Sequence, residues 1–254
     1  TYPSVTSMQN ITYIAVSVLS ASILQTIILI LGTKMSFWKN LLNSNRYESS
    51  LNKFFDIYLP LCASALFLQA ANMYYLYLNS FQEGAISWIY YAERLYFLPI
   101  SLIAIPFSTV MIPNLARLIL SNFNEAAALQ SQAIKYLIVS ILPLSVFLFF
   151  ISDSLVSFLF ERGKFTNDDS LATSLALKYF ILGLPAFCLT MLLKPYFFAL
   201  GEGRIILYYS LISSLVGILI ATITFETLSY VAIPLGISIS SWVNAFLLLQ
   251  SQKK

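Results

Sequence analysis

The sequence predicts an all-α, polytopic membrane protein of about seven transmembrane helices. Three observations carry that prediction. The 254 residues are 59% hydrophobic and only 10% charged, whereas a soluble domain is about one-quarter charged. The mean hydropathy is +0.80. The apolar residues also fall in runs of the length a helix needs to cross a bilayer, about 17–25 residues, rather than in the short alternating segments of a barrel.

Seven such runs follow in order, at about 11–32, 54–79, 85–117, 135–159, 171–199, 205–223 and 230–250. The third and fifth exceed an upright span and should tilt, kink or extend past the lipid. The third carries Pro99, Pro106 and Pro113, seven residues apart and so on roughly one helix face. The fifth carries Gly183, Pro185 and Pro195. These read either as kinks accommodated by neighbouring helices or as hinges of an alternating-access transporter. The stretch 161–170, ERGKFTNDDS, is a polar turn. Thr166 or Asn167 should cap the next helix, with Asp168 and Asp169 complementing its dipole rather than holding a metal. Residues 117–134 have the look of a short amphipathic helix on the membrane surface. Cys62 and Cys188 both lie in apolar segments and read as small hydrophobes rather than a disulfide pair.

Charge placement orients the chain. With the N-terminus outside, the cytoplasmic loops hold Lys34, Lys39, Arg46, Lys53, Arg117, Lys135, Arg204, Lys253 and Lys254, and the outer loops only Arg162 and Lys164. Nine against two is a positive-inside signal, which puts the C-terminus in the cytoplasm. The chain opens on Thr1 in a polar stretch. An outside start suits a fragment with an odd number of spans missing upstream.

The candidate functional residues are the charges inside apolar segments. Glu93 and Arg94 sit in GAISWIYYAERLYFLPISLIAIPFSTVMIPNLARLIL, residues 84–120. Measured from Gly84, Arg94 is ~15 Å into the span. A charge there costs at least ~2.5–3.5 kcal/mol on insertion scales and normally faces water or a partner. A guanidinium presents five donors in a fork that suits phosphate or carboxylate. The alternative is a buried ion pair that fixes helix packing. Adjacent helical residues do not face each other, so Glu93 addresses something else: a cation, a proton or a basic residue. Tyr90, Tyr91 and Tyr96 either line a wet cavity or pack. Lys194 snorkels to the interface or adds positive charge to an inner cavity; Lys178 poses the same choice at the other end. Histidine is absent, and no nucleophile–base pair, phosphate loop or nucleic-acid patch appears. An enzyme and a cofactor site are therefore not expected; cations near the midplane point to moving or holding an anion.

Three stretches resemble the signatures of the MurJ/MviN-type lipid II flippases of the MOP exporter superfamily. They are SWIYYAERLYFLPISLIAIPFSTVMIPNLAR (87–117), LFERGKFTNDD (159–169) and GLPAFCLTMLLKPYFFALGEGR (183–204), in the family's order and spacing. The resemblance implies a place in a fourteen-span, two-lobed fold: residues 1–50 as the last span of the first lobe plus a cytoplasmic linker, and 51–254 as the second six-helix lobe. It implies flipping of undecaprenyl-pyrophosphate-linked peptidoglycan precursor across the bacterial inner membrane, with membrane lipid and the missing first lobe as partners. Arg94 matches the Arg of the family's ADR motif, taken to contact the pyrophosphate. Glu93 stands for its Asp, and Lys194 for the Lys of KVL.P. The stretches 69–80 and 215–225 lack the acid, and the second the Asn, of the sodium site some members carry. Rival readings are another MOP exporter of lipid-linked oligosaccharides or drugs, and a truncated remnant that no longer transports.

Overall fold

The computed structural model describes residues 5–32 and 48–252. Among them the chain is helical throughout, with no strand. It divides into two compact units, residues 1–53 and 54–254. In the first unit, α1 (Val5–Gly32) runs 28 residues. It is apolar all round, and its Ser20, Ser22 and Thr26 hydroxyls donate to carbonyls of the preceding turn, which hides polar groups in an apolar setting.

The second unit contains most of α2 (Glu48–Asn79), then α3 (Ala85–Pro99), a five-residue π turn (Ile100–Ala104), α4 (Ile105–Ser121), α5 (Phe123–Phe160), α6 (Asn167–Ala199), α7 (Gly203–Leu228), a 3-10 turn (Ser229–Val231) and α8 (Ala232–Gln252). Four stretches among the described residues are long and apolar enough to cross a membrane: 85–119, 124–160, 167–199 and 203–252. The last folds back on itself as α7 and α8. Large apolar side chains cover the outside, among them Leu102, Phe150, Phe158 and Ile223. Lipid, not water, is the solvent such a surface fits.

The long third segment changes its hydrogen-bond pattern between its prolines. Pro106 has no N–H for the Leu102 carbonyl, and the widened π turn falls between Pro99 and Pro106. The expected amphipathic helix over 117–134 does not form as a separate element. Asn122 alone breaks the chain (φ −154°, ψ 97°) and caps α5, its side chain accepting from the Glu125 N–H and donating to the Glu125 carboxylate at 2.8 Å. The rest of that stretch continues α4 or opens α5. At the other end, Thr166 caps α6 with a full capping box: its Oγ1 accepts from Asp169 N–H, and Asp169 accepts from Thr166 N–H at 2.9 Å. Cys188 is buried and Cys62 exposed; both are free. Only Cys188 is therefore a core residue.

Helix α6 is the axis of the unit. Its apolar stretch is 67% buried, against 17% for α5. Two prolines leave α6 carbonyls without an intrahelical donor, and neighbouring helices supply donors nearby. Pro195 frees Met191 O, which accepts from Ser108 Oγ of α4 at 3.1 Å. One residue on, Leu192 O accepts from the buried Gln130 of α5 at 3.1 Å. Beside Pro185, α8 contributes Trp242 Nε1 to Leu182 O at 2.9 Å and Ser238 Oγ to Tyr179 O at 2.6 Å. Small residues bring the backbones close: Gly183 lies against Ser238, and Gly217 against Gly236. Tyr74 of α2 meets Thr222 of α7 at 2.9 Å.

Lys178 does not simply snorkel. Its Nζ donates to Asp153 of α5 at 2.6 Å, the ion pair formed among the described residues. Both side chains are partly exposed, so a double-mutant cycle of Lys178→Ala and Asp153→Ala on thermal melting should give a coupling below about 1 kcal/mol. A coupling several-fold larger would show that the pair is shielded by surroundings the exposed geometry does not suggest.

Candidate functional site

Helix α3 carries Glu93 and Arg94 through the bilayer, and the ~100° step between neighbouring residues sends them to different places. Arg94 is exposed on the side of the unit. Its guanidinium lies 4.5 Å from the centroid of the Tyr90 ring, one turn back, and donates to the Tyr90 hydroxyl. A cation–π contact of this kind steadies a charge without neutralising it. No carboxylate among the described residues lies within ion-pair distance of Arg94. Most of its fork remains available.

Glu93 is exposed too, and it lines a partly open cavity of about 300 Å3 bordered by α2, α3, α6, α7 and α8, with Lys194 of α6 on the same cavity. Lys194 therefore faces inward rather than out to the membrane surface. The opposite charges share a polar space with Asn72, Tyr75, Thr190 and Asn244, without forming an ion pair. A neighbouring cavity of about 240 Å3 shares Glu93, Asn72 and Tyr75 and adds Asn79 and Tyr90. Two amide oxygens at these cavities, Asn79 Oδ1 and Asn244 Oδ1, are buried with no hydrogen-bond partner, so the spaces favour a ligand or water that can donate. Of the three tyrosines near the charge pair, Tyr96 is buried, stacks on Phe180 at 5.2 Å and borders the first cavity. Tyr91 packs on Phe160 and Phe165.

The structure thus places Glu93 and Lys194 on one cavity, while Arg94 lies on Tyr90, which lines the neighbouring cavity with Glu93. The polar lining was missed by a reading that looked only for charges. A signal was present: Ser210, Ser213, Ser214 and Gly217 on α7, and Ser240, Ser241 and Asn244 on α8, recur at three- and four-residue spacing and mark polar faces of otherwise apolar helices. All but Gly217 border the cavity.

Comparison with known proteins gives this geometry a family. A family model described as lipid II flippase MurJ matches residues 2–254. A probable lipid II flippase MurJ from Rickettsia prowazekii (strain Madrid E) is 34% identical over 178 residues, 70% of this chain and 35% of that protein. Its counterpart in Rhizobium meliloti (strain 1021) is 36% identical over 170 residues, covering 66% and 32%. That of Rhizobium tropici is 29% identical over 234 residues, covering 92% and 44%. A solved lipid II flippase MurJ in an inward closed conformation matches with a TM-score of 0.70 at 27% identity, over 84% of this chain and 45% of that one. The chain spans between a third and a half of the length of these relatives. With a family model matched along nearly all of its residues, this chain belongs to the lipid II flippase MurJ family.

Proposed function

We propose that this chain forms the second lobe, with one preceding span, of a transporter that flips lipid-linked peptidoglycan precursor from the inner to the outer leaflet. Residues 1–50 serve as the last span of the first lobe and its linker, and 51–254 as the six-helix second lobe. As a family member with several membrane-crossing helices, it is a multi-pass protein of the bacterial inner membrane; its C-terminus lies in the cytoplasm. The observation that carries the reading is Arg94: an exposed guanidinium within an apolar helix, met by no acid among the described residues, which a first lobe would enclose. There it binds the precursor's diphosphate. Glu93 and Lys194 set the charge of the adjoining cavity and contact the substrate's polar part from within it. Alternating access is supported by the π turn of the α3–α4 segment and by Pro185 and Pro195 of α6, points where a helix bends without losing all its hydrogen bonds. No bond is made or broken, and the protein acts as a transporter.

The test is depletion of the intact protein from its native cells. Lysis with a wall defect, and precursor retained in the inner leaflet, is the expected result. Loss of a surface glycan or of drug resistance alone, with normal walls, would assign the protein to another branch of exporters.

A further inference from the structure

At the end of the lobe where α3 begins and α5 gives way to α6, a pocket of about 640 Å3 shares no lining residue with the Glu93 cavities. Its walls are aromatic: Trp88 and Tyr91 from α3, Phe160 from α5 and Phe165 from the loop. Tyr91 packs edge-on against Phe165 at 5.4 Å and tilted on Phe160 at 4.8 Å, so these walls brace one another. Two cations flank the turn beside them. Gly163 adopts φ 66°, a left-handed conformation that reverses the chain, and Arg162 and Lys164 on either side of it both line the pocket.

Two cations outnumber the one carboxylate in the lining of this pocket. That carboxylate, Asp169, keeps its negative charge, but its oxygens are already engaged by three donors: Trp88 Nε1 at 2.7 Å, Thr166 N–H at 2.9 Å and Thr166 Oγ1 at 2.8 Å. Glu161 turns to the Ser157 hydroxyl. Arg162 donates through Nε and Nη2 to the Leu159 carbonyl at the end of α5 and keeps its remaining donors. Lys164 meets no carboxylate among the described residues. A phosphate matches this pair of cations. The aromatic walls, and the neighbouring α5 surface with Phe158 84% exposed, match an apolar body attached to it. Trp and Tyr at helix ends are the side chains that settle at headgroup level.

We infer that this pocket is a binding site for the headgroup of an anionic phospholipid, its phosphate on Arg162 and Lys164 and its chains along the exposed face of α5. The site is separate from Arg94 and does not depend on what the protein transports.

The experiment is reconstitution of the protein in phosphatidylcholine nanodiscs doped with phosphatidylglycerol, with retained lipid read by native mass spectrometry. Phosphatidylglycerol should be retained in preference to phosphatidylcholine. Near-surface cations contribute enough that each one removed should weaken retention about fivefold, so Lys164→Gln loses about fivefold and the Arg162→Gln/Lys164→Gln pair more, while Lys164→Arg keeps binding. Arg162 also ends α5. If the pair melts early, Lys164→Gln alone decides, because Lys164 has no ion-pair partner among the described residues to lose. Equal retention of both lipids, or unchanged retention in Lys164→Gln, overturns the site. So does competition by glycerol phosphate alone, which would mean a soluble anion. Retention of undecaprenyl diphosphate but not phosphatidylglycerol would make the occupant the transported lipid and overturn it too. Complementation by Lys164→Gln reports separately on the transport reading.

Discussion

Replacing Arg94 by alanine in the full-length protein is expected to abolish complementation of a depleted strain while leaving expression and melting temperature unchanged. The asymmetry follows from the contacts. On its own lobe Arg94 touches the Tyr90 ring and hydroxyl and pairs with no acid among the described residues, so its removal breaks no ion pair. Insertion itself should improve, since a guanidinium at that depth costs at least ~2.5–3.5 kcal/mol. A residue that the fold does not need and the membrane disfavours has to act on something else. Hydrogen bonds to charged groups contribute about 1.5–3 kcal/mol each, so losing the fork should weaken diphosphate binding at least tenfold. Arg94→Lys keeps the charge without the planar fork and should retain only a minor part of the activity. Tyr90→Phe keeps the ring under the guanidinium and should stay close to wild type. Normal growth on Arg94→Ala would remove Arg94 from the binding site; a lower melting temperature would instead make it a structural residue.

Much of this was legible in the sequence because lipid is a strict solvent. Every backbone group in the bilayer must be satisfied within the chain, so 85–117 and 171–199 could only be helices, and the charges inside them stood out. The Thr166 cap was legible for a local reason: the oxygen and the N–H it satisfies lie three residues apart. That Glu93 and Arg94 leave the helix about 100° apart followed from helical rotation alone. What stayed hidden depends on contacts between segments. Asp153 became the partner of Lys178 only once α5 and α6 were side by side, 25 residues apart in sequence. Lys194 had two outcomes from its own helix, and α7 and α8 closing over it decided for the inward one. The 117–134 stretch misled because an amphipathic pattern fits a surface helix and the protruding ends of two long helices equally well. Asn122, whose extended backbone ends one and caps the other, was the residue that distinguished them.

The largest structural effect is expected at Gly183. A Cβ there would lie 2.6 Å from the Ser238 Cα and 2.6 Å from its Oγ, and the first of these is backbone that no rotamer change can move. Ser238 is itself tied to α6 through the Tyr179 carbonyl, and one turn further on, Trp242 binds Leu182 O. Valine at 183 therefore has to push α8 away from α6 and break both bonds beside Pro185. Overpacking alone costs about 1–3 kcal/mol, and each lost hydrogen bond that strands a buried group adds about 1–3. Gly183→Val should lower the melting temperature in detergent sharply and abolish complementation, because Lys194 and Asn244 reach their cavity from these two helices. Gly163→Asn is the control: a Cβ there meets nothing within 4 Å, and asparagine tolerates the left-handed backbone, so melting should barely change. If Gly183→Val melted like wild type, α6 and α8 would have to separate at little cost. Their contact would then be a sliding interface within the lobe, and the bending needed for alternating access would lie between these helices rather than at the π turn.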